Sequence, residues 1–123
     1  MDKDKQELRV KYKRRFYDFT LELIIFIDKL PKDNVANRLG DQLLRSGTSI
    51  IANYIEGQSA SSKKDFTNFI NHSLKSCNES KLWLSLLKDS NHSNNQNTDS
   101  LMQELIEISK ILASTLLTLR NKR

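Results

Sequence analysis

The chain is poor in residues that interrupt regular structure or cross-link it. Its 123 residues include three glycines, one proline and one cysteine. With so few breakers, long helices form easily and tight hairpins do not. The single cysteine, Cys77, excludes an internal disulfide and fits a reducing compartment. The length predicts one domain, residues 1–123, with a core that needs no covalent staples.

Long apolar runs are also missing. The longest, residues 23–27, is far below the roughly 20 residues that cross a bilayer. The first five residues, MDKDK, lack the apolar stretch of a signal peptide. We therefore expect a soluble, cytoplasmic protein with no membrane partner.

The sequence offers little for catalysis. Its two histidines, His72 and His92, form no His-x-x-x-His or Glu-x-x-His spacing, and Cys77 has no second cysteine, so a metal site lacks ligands. His72 and Cys77 stand five residues apart, which turns them to different faces of a helix. There is no glycine-rich phosphate loop. We expect no catalytic residue, metal, cofactor or small-molecule substrate, and therefore no enzyme.

What is present is helical periodicity. Apolar residues recur at helical spacing in four stretches, about residues 14–30, 34–56, 62–88 and 99–120. The start of the first stretch could also lie nearer Glu7. Four helices of similar length with short links favour an all-α fold, an antiparallel up-down-up-down four-helix bundle.

Local signals mark the ends of these helices. Pro31 stops the first helix, because the residue before proline is pushed out of helical geometry. Gly57 is expected to cap the second helix. Ser62, with Asp65 three residues later, predicts the start of the third. Residues 89–98 are polar throughout, which predicts a flexible loop.

The segment LLRSGTSIIANYIEG, residues 43–57, combines an apolar helix face with a cluster of small residues. Small side chains let a neighbouring helix approach closely, so we expect Gly47 to lie at a tight contact. Asn53 is expected to bond an adjacent backbone or a neighbouring subunit. Trp83 could stack on a base, but its place in an apolar stripe favours packing.

Three charged residues on the second and third helices form another candidate structural cluster. In antiparallel helices, Arg45 lies within a turn or two of Glu79, and Glu56 lies near the start of the third helix. A buried or interfacial pair of Arg45 and Glu79 would fix helix register and subunit orientation, at a desolvation cost. We prefer this structural interpretation to a binding site.

Apolar residues outside the core stripes predict self-association. The surplus residues lie on the first and fourth helices: Leu21, Ile24, Ile25, Met102, Ile106, Ile111 and Leu117. Contiguous exposed apolar patches usually mark interfaces, so we expect a homo-oligomer. The alternative is a wide core stripe.

The formal charge is +5, and basic residues cluster near both ends of the chain. In an up-down-up-down bundle, both termini and the link between the second and third helices share one end. The candidate nucleic-acid-binding residues at this basic pole are Arg9, Lys11, Lys13, Arg14, Arg15, Lys63, Lys64, Arg120, Lys122 and Arg123. A cyclic oligomer would repeat them as a ring. The alternative is a solvated end that aids solubility.

The ordered motifs also resemble a known family. The segment LLRSGTSIIANYIEG, followed by SSKKDF and by Glu79 with Trp83-Leu84, resembles the bacterial four-helix bundle proteins found as open reading frames in intervening sequences of large-subunit ribosomal RNA genes. This family is similar to the accessory protein of diversity-generating retroelements, a basic pentameric bundle that binds a reverse transcriptase and nucleic acid. The resemblance implies a pentamer and leaves the cellular role unassigned.

Together these observations predict a non-enzymatic, homo-oligomeric interaction protein. Its expected partner is RNA, DNA or a nucleoprotein, bound through the basic end. The alternative is a structural oligomer that scaffolds a protein partner.

Overall fold

The computed structural model describes residues 2–93 and 95–121. It contains four helices in this range, α1 (Asp2–Asp28), α2 (Asn34–Gln58), α3 (Lys63–Asp89) and α4 (Asn95–Asn121). Consecutive helices pack side by side and α4 closes against α1, while the diagonal pairs of described residues do not approach each other. This arrangement confirms the predicted antiparallel four-helix bundle.

Helix α1 begins much earlier than the predicted start near residue 14. Its N-terminal turns continue the apolar spacing through Tyr12, which stacks on Phe16 with the ring centroids 6.4 Å apart and packs against the core. At the other end, the amides of Lys29 and Leu30 bond to the carbonyls of the last helical turn. Leu30 is thereby buried beyond the helix end, just before Pro31.

Gly57 does not cap α2, contrary to the prediction. Helix α2 continues to Gln58 with Ser59 as its cap, and Gly57 keeps a negative φ. Its missing side chain serves close packing instead, because a Cβ at this position would come within 3.2 Å of the Phe69 Cβ on α3. Two side-chain caps begin helices: Asp33 accepts from the amide of Ala36 on α2, and Ser62, just before α3, accepts from the amide of Asp65, as predicted.

Half of the polar segment 89–98 lies in helix ends, because α3 ends at Asp89 and α4 begins at Asn95, so the predicted ten-residue loop is wrong in its extent. After α3, Asn91 adopts a φ of 62°, and its amide bonds to the carbonyl of Lys88 while that of His92 bonds to Leu87. This pair of bonds is a Schellman motif, with asparagine in the left-handed position that glycine usually takes. Thr98 lies within α4 and is buried.

The core runs along the bundle axis. Its largest fully buried side chains are Phe16, Phe19, Leu23, Leu43, Ile50, Ile70, Leu84, Leu87, Leu105, Ile108 and Leu112. The edge of one aromatic ring meets the face of another where Phe16 contacts Tyr54, with ring centroids 4.8 Å apart. Within the described residues, no helix is apolar over a length that would cross a membrane.

Candidate functional site

The basic residues of α1 do not share one face of the helix. At about 3.6 residues per turn, the run from Arg9 to Arg15 is spread around the whole helix. Arg14 pairs with Asp18 at 3.1 Å on the exposed face. Arg15 binds Glu104 of α4 through two bonds of 2.8 and 3.0 Å, and this contact raises the pKa of the guanidinium. Two of the predicted phosphate ligands are therefore already paired with carboxylates.

A smaller basic cluster remains at the end of the bundle. Arg9 and Lys63 line the same shallow depression beside the link between α2 and α3. Lys64 follows in the first turn of α3 and Arg120 lies in the last turn of α4, both exposed. The predicted ligands Lys122 and Arg123 lie outside the described residues. We call Arg9, Lys63 and Lys64 the basic end.

The predicted buried pair of Arg45 and Glu79 is not found within one chain. Arg45, Glu56 and Glu79 are all exposed. No ion pair joins them in the described part of the chain. Helical periodicity places them on outward surfaces, where water solvates the charges. A role between subunits remains a prediction.

Hydroxyl groups, rather than charges, fix the register of α2 and α3. Ser46 and Ser80 share a buried hydrogen bond of 2.8 Å, and Ser76 donates to Ser49 at 2.9 Å. Ser73 adds a third bond, to the carbonyl of Ile50 at 2.7 Å. The small residues of α2 were predicted to lie at a close contact, but their partners on α3 were not predicted. The matching signal was the serine spacing on α3, at positions 73, 76 and 80.

The residues predicted to be structural, Gly47, Asn53 and Trp83, lie on the two helices that these serine hydrogen bonds join. Gly47 faces α1, where a Cβ would overlap the Leu23 side chain, so the expected tight contact is present. Asn53 donates to the carbonyl and hydroxyl of Ser49, at 2.9 and 2.8 Å, which is the adjacent-backbone bond that was predicted. Trp83 is half-buried and packs against the core.

An apolar stripe faces outward on α1. Val10, Tyr17, Leu21 and Ile24 follow one another at intervals of seven, four and three residues, so they share one helix face. Val10 is 68% exposed, and Leu21 is 44% exposed although the opposite face of α1 fills the core. Ile25, 54% exposed, flanks the stripe. We call these five residues the outer α1 stripe.

Helix α2 extends this apolar surface. Contacts of Gly40 with Leu30 and of Gly47 with Leu23 show which side of α2 faces α1. Leu44 and Ile55 follow on that side by helical spacing and remain exposed. On α4 the outcome differs from the prediction: Met102 and Ile111 pack against the core, Ile106 is half-buried, and Leu117 is exposed.

The histidines support no evident reaction centre. His72 is exposed on α3. His92 contacts Ser90 through Nδ1 at 2.7 Å and Asp33 through Nε2 at 3.6 Å. This resembles a nucleophile, base and acid set, but the Ser90 hydroxyl donates to the Leu86 carbonyl at 2.6 Å. Its proton is therefore directed away from the imidazole, and the three side chains tie two loops together.

The remaining nucleophile, Cys77, is buried in the core. Burial raises the pKa of its thiol to about 12, so at neutral pH it is protonated and unreactive. Within the part of the chain that the structure describes, no group of three or more metal-ligating side chains comes together.

The family model of the 23S rRNA-intervening sequence protein matches residues 8–114, from α1 well into α4. The chain belongs to this family. The family resemblance inferred from the ordered motifs is thereby confirmed.

A solved structure shares the fold of this family member. It is a protein with unknown function from the S23 ribosomal protein family of Bacteroides thetaiotaomicron VPI-5482, with a TM-score of 0.77 and 32% sequence identity. The match covers 85% of this chain and 97% of that one. The search of curated proteins finds no match.

Proposed function

We propose that this chain is a homo-oligomeric interaction protein that performs no catalysis. The outer α1 stripe carries the proposal, because it exposes five large apolar side chains on the face opposite the core. Exposed apolar patches of this kind usually mark interfaces. The surface of α2 around Leu44 and Ile55 adjoins the stripe, so a partner could cover both helices. A second copy of the chain is the proposed partner.

The resemblance to the accessory protein of diversity-generating retroelements supports a pentamer. A cyclic assembly buries two different patches of each subunit and closes without open edges. Light scattering is expected to give about five times the chain mass of 14.3 kDa. A monomer at micromolar concentration would contradict the proposal.

A charge placed in the outer α1 stripe tests which face assembles. Leu21→Glu is expected to reduce the measured mass, since a carboxylate buried at an interface without a partner is costly. The fold should survive because Leu21 is exposed in the single chain. Leu82→Glu is the matched control, with a leucine 51% exposed on the outer face of α3. Equal effects of the two variants would contradict an interface on α1.

We further propose that the oligomer binds RNA or DNA, free or within a nucleoprotein, through the basic end. The depression lined by Arg9 and Lys63 has no acidic residue among its lining side chains. The N-terminus of α3 adds its partial positive charge at the same place. A ring of subunits would repeat this cluster.

Gel-shift titrations at several salt concentrations test nucleic-acid binding. Arg9, Lys63 and Lys64 changed together to Gln should weaken binding and flatten the logarithmic salt slope, by roughly 0.9 per lost phosphate contact on duplex DNA. The control changes Lys29, Lys32 and Arg38 to Gln, which removes equal charge from the opposite end. If the unaltered protein binds neither DNA nor structured RNA at low salt, an oligomer that scaffolds a protein partner becomes the better account.

A further inference from the structure

A pocket of about 280 Å³ opens at the same end of the bundle as the basic cluster, and all four helices line it. Its walls are largely aromatic and aliphatic, from Tyr12, Phe66, Ile111 and Leu119. The volume lies near the lower limit of small-molecule sites, which span roughly 300–1,000 Å³. The pocket therefore suits a ligand with one ring and short substituents.

One polar atom of a residue that lines this pocket lacks a hydrogen-bond partner in the described residues. The Oε1 atom of Gln58 is buried and accepts no hydrogen bond. Unpaired buried acceptors are uncommon, because the lost hydration is not replaced. Tyr54 lines the same pocket, and burial raises the pKa of its hydroxyl to about 12. It therefore remains a neutral hydrogen-bond donor at physiological pH.

The charged residues that line the pocket are all basic. Lys5 and Arg9 belong to the lining, and no aspartate or glutamate does. The charge of Arg9 acts on the Tyr54 hydroxyl and opposes the rise in its pKa, which places the guanidinium near the polar side of the pocket. An anionic group would thus meet two cations and a neutral donor.

We propose that this pocket binds a small aromatic carboxylate that carries a hydrogen-bond donor on its ring. The ring would lie against Tyr12 and Phe66, the donor would bond to Gln58 Oε1, and the carboxylate would face Arg9 and Tyr54. This site requires neither oligomerisation nor nucleic acid, so it goes beyond the function proposed above. It is a binding site with no reaction attached.

Calorimetry on the full chain tests the ligand class with three probes. 4-Hydroxyphenylacetate carries ring, donor and carboxylate, and it is expected to bind saturably at one site per chain. Phenylacetate lacks the donor and 2-(4-hydroxyphenyl)ethanol lacks the charge. Each should bind roughly tenfold more weakly, as expected for the loss of one charge-assisted or buried hydrogen bond. No saturable binding of the first probe, or equal binding of all three, would overturn the proposal.

Variants then assign the contacts. Arg9→Gln should weaken 4-hydroxyphenylacetate binding roughly tenfold, whereas Lys64→Gln, which removes the same charge outside the pocket lining, should change it less than about twofold. Gln58→Leu should bring the affinity down to that of phenylacetate while raising the melting temperature, because it removes the unpaired acceptor. Equal loss from Arg9→Gln and Lys64→Gln, or undiminished binding by Gln58→Leu, would overturn the assignment.

Discussion

Two helix pairs in this bundle are held together by different means. Between α2 and α3, Ser46 bonds to Ser80 and Ser49 to Ser76, and these short side chains let the backbones approach closely. Between α1 and α4, the pair of Arg15 and Glu104 spans an open groove of about 700 Å³. The first interface is closely packed and specific in register, while the second leaves an open groove between the helices.

The α2–α3 interface mainly stabilises the fold, whereas α1 carries most of the surface that is available to partners. The α2–α3 side supplies hydrogen bonds that only one register satisfies. Helix α1 contributes its inner face to the core, but its outer face carries the apolar stripe, and its N-terminal turns line the proposed ligand pocket. The surfaces available to partners are therefore concentrated on the helix that is less firmly joined to its neighbour α4.

Overfilling the tight side should have the largest effect. Gly47→Leu is expected to lower the free energy of unfolding by about 3 kcal/mol, the upper end of overpacking costs, because even a Cβ there would overlap Leu23. Chemical denaturation measures the change.

Comparing the stabilities of Gly47→Ala and Gly40→Ala measures how much the close contact at Gly47 costs an added Cβ. Both Gly47→Ala and Gly40→Ala gain about 1 kcal/mol of helix propensity, but a Cβ at Gly40 meets the tip of Leu30 at 3.2 Å and Ile27 at an ordinary contact distance of 3.6 Å. Gly47→Ala should therefore be the less stable variant. Equal stability would show that α2 packs no more tightly at Gly47 than at Gly40.

Alkaline pH should test how completely the α3–α4 side excludes water. Burial raises the Cys77 pKa from 9.0 to about 12, so the folded state keeps the proton that the unfolded state loses. The resulting stability is fully present below pH 9 and is lost as the pH rises toward 12, by about 1.4 kcal/mol at pH 10. Denaturation at pH 7 and pH 10 measures it.

Cys77→Ala should flatten this alkaline loss and leave later contributions such as that of Tyr54, whose pKa rises from 10.0 to about 12. Thiol labelling at pH 9 adds a second readout. If α4 separates locally from α3, labelling of Cys77 will be faster than global unfolding allows. That result would extend the loosely held region from α1 to α4.

Double-mutant cycles compare the two interfaces directly and involve the smallest energies. The coupling between Ser46 and Ser80 is expected to be about 1 kcal/mol, as for a buried hydrogen bond. Coupling between Arg15 and Glu104 should be about 0.5 kcal/mol, because the pair is partly exposed. In about 1 M salt, where the screening length is roughly 3 Å, only the second should decline. Equal coupling energies with equal salt dependence would show that the α2–α3 and α1–α4 interfaces are not held together by different means.

Sequence reasoning succeeded where the deciding interactions were local. The Ser62 cap follows from a side chain and an amide three residues apart, and the stripe of α4 follows from periodicity, with Leu105, Ile108 and Leu112 fully buried. It failed where packing overrode composition. Gly57 is read as a helix terminator in isolation, but close contact with Phe69 on α3 needs a residue without a side chain there.

At the candidate site too, local features could be predicted from the sequence, and contacts between helices could not. The clustering of Arg14 and Arg15 near the chain start was visible, but the pairing of Arg15 with Glu104 on another helix was not. Position in the chain does not specify on which face of a helix a charge lies relative to other helices. Gln58 gave no signal at all, because an unpaired buried acceptor exists only once neighbouring elements surround it.

By itself, the sequence determined that this chain forms four helices and where the main apolar stripe of each helix lies, since propensity and periodicity act within a few residues. Only the tertiary structure decided which serines pair, which arginines are neutralised, and which apolar residues remain outside. Those outcomes depend on the relative rotation and register of whole helices, and many distant contacts set these together.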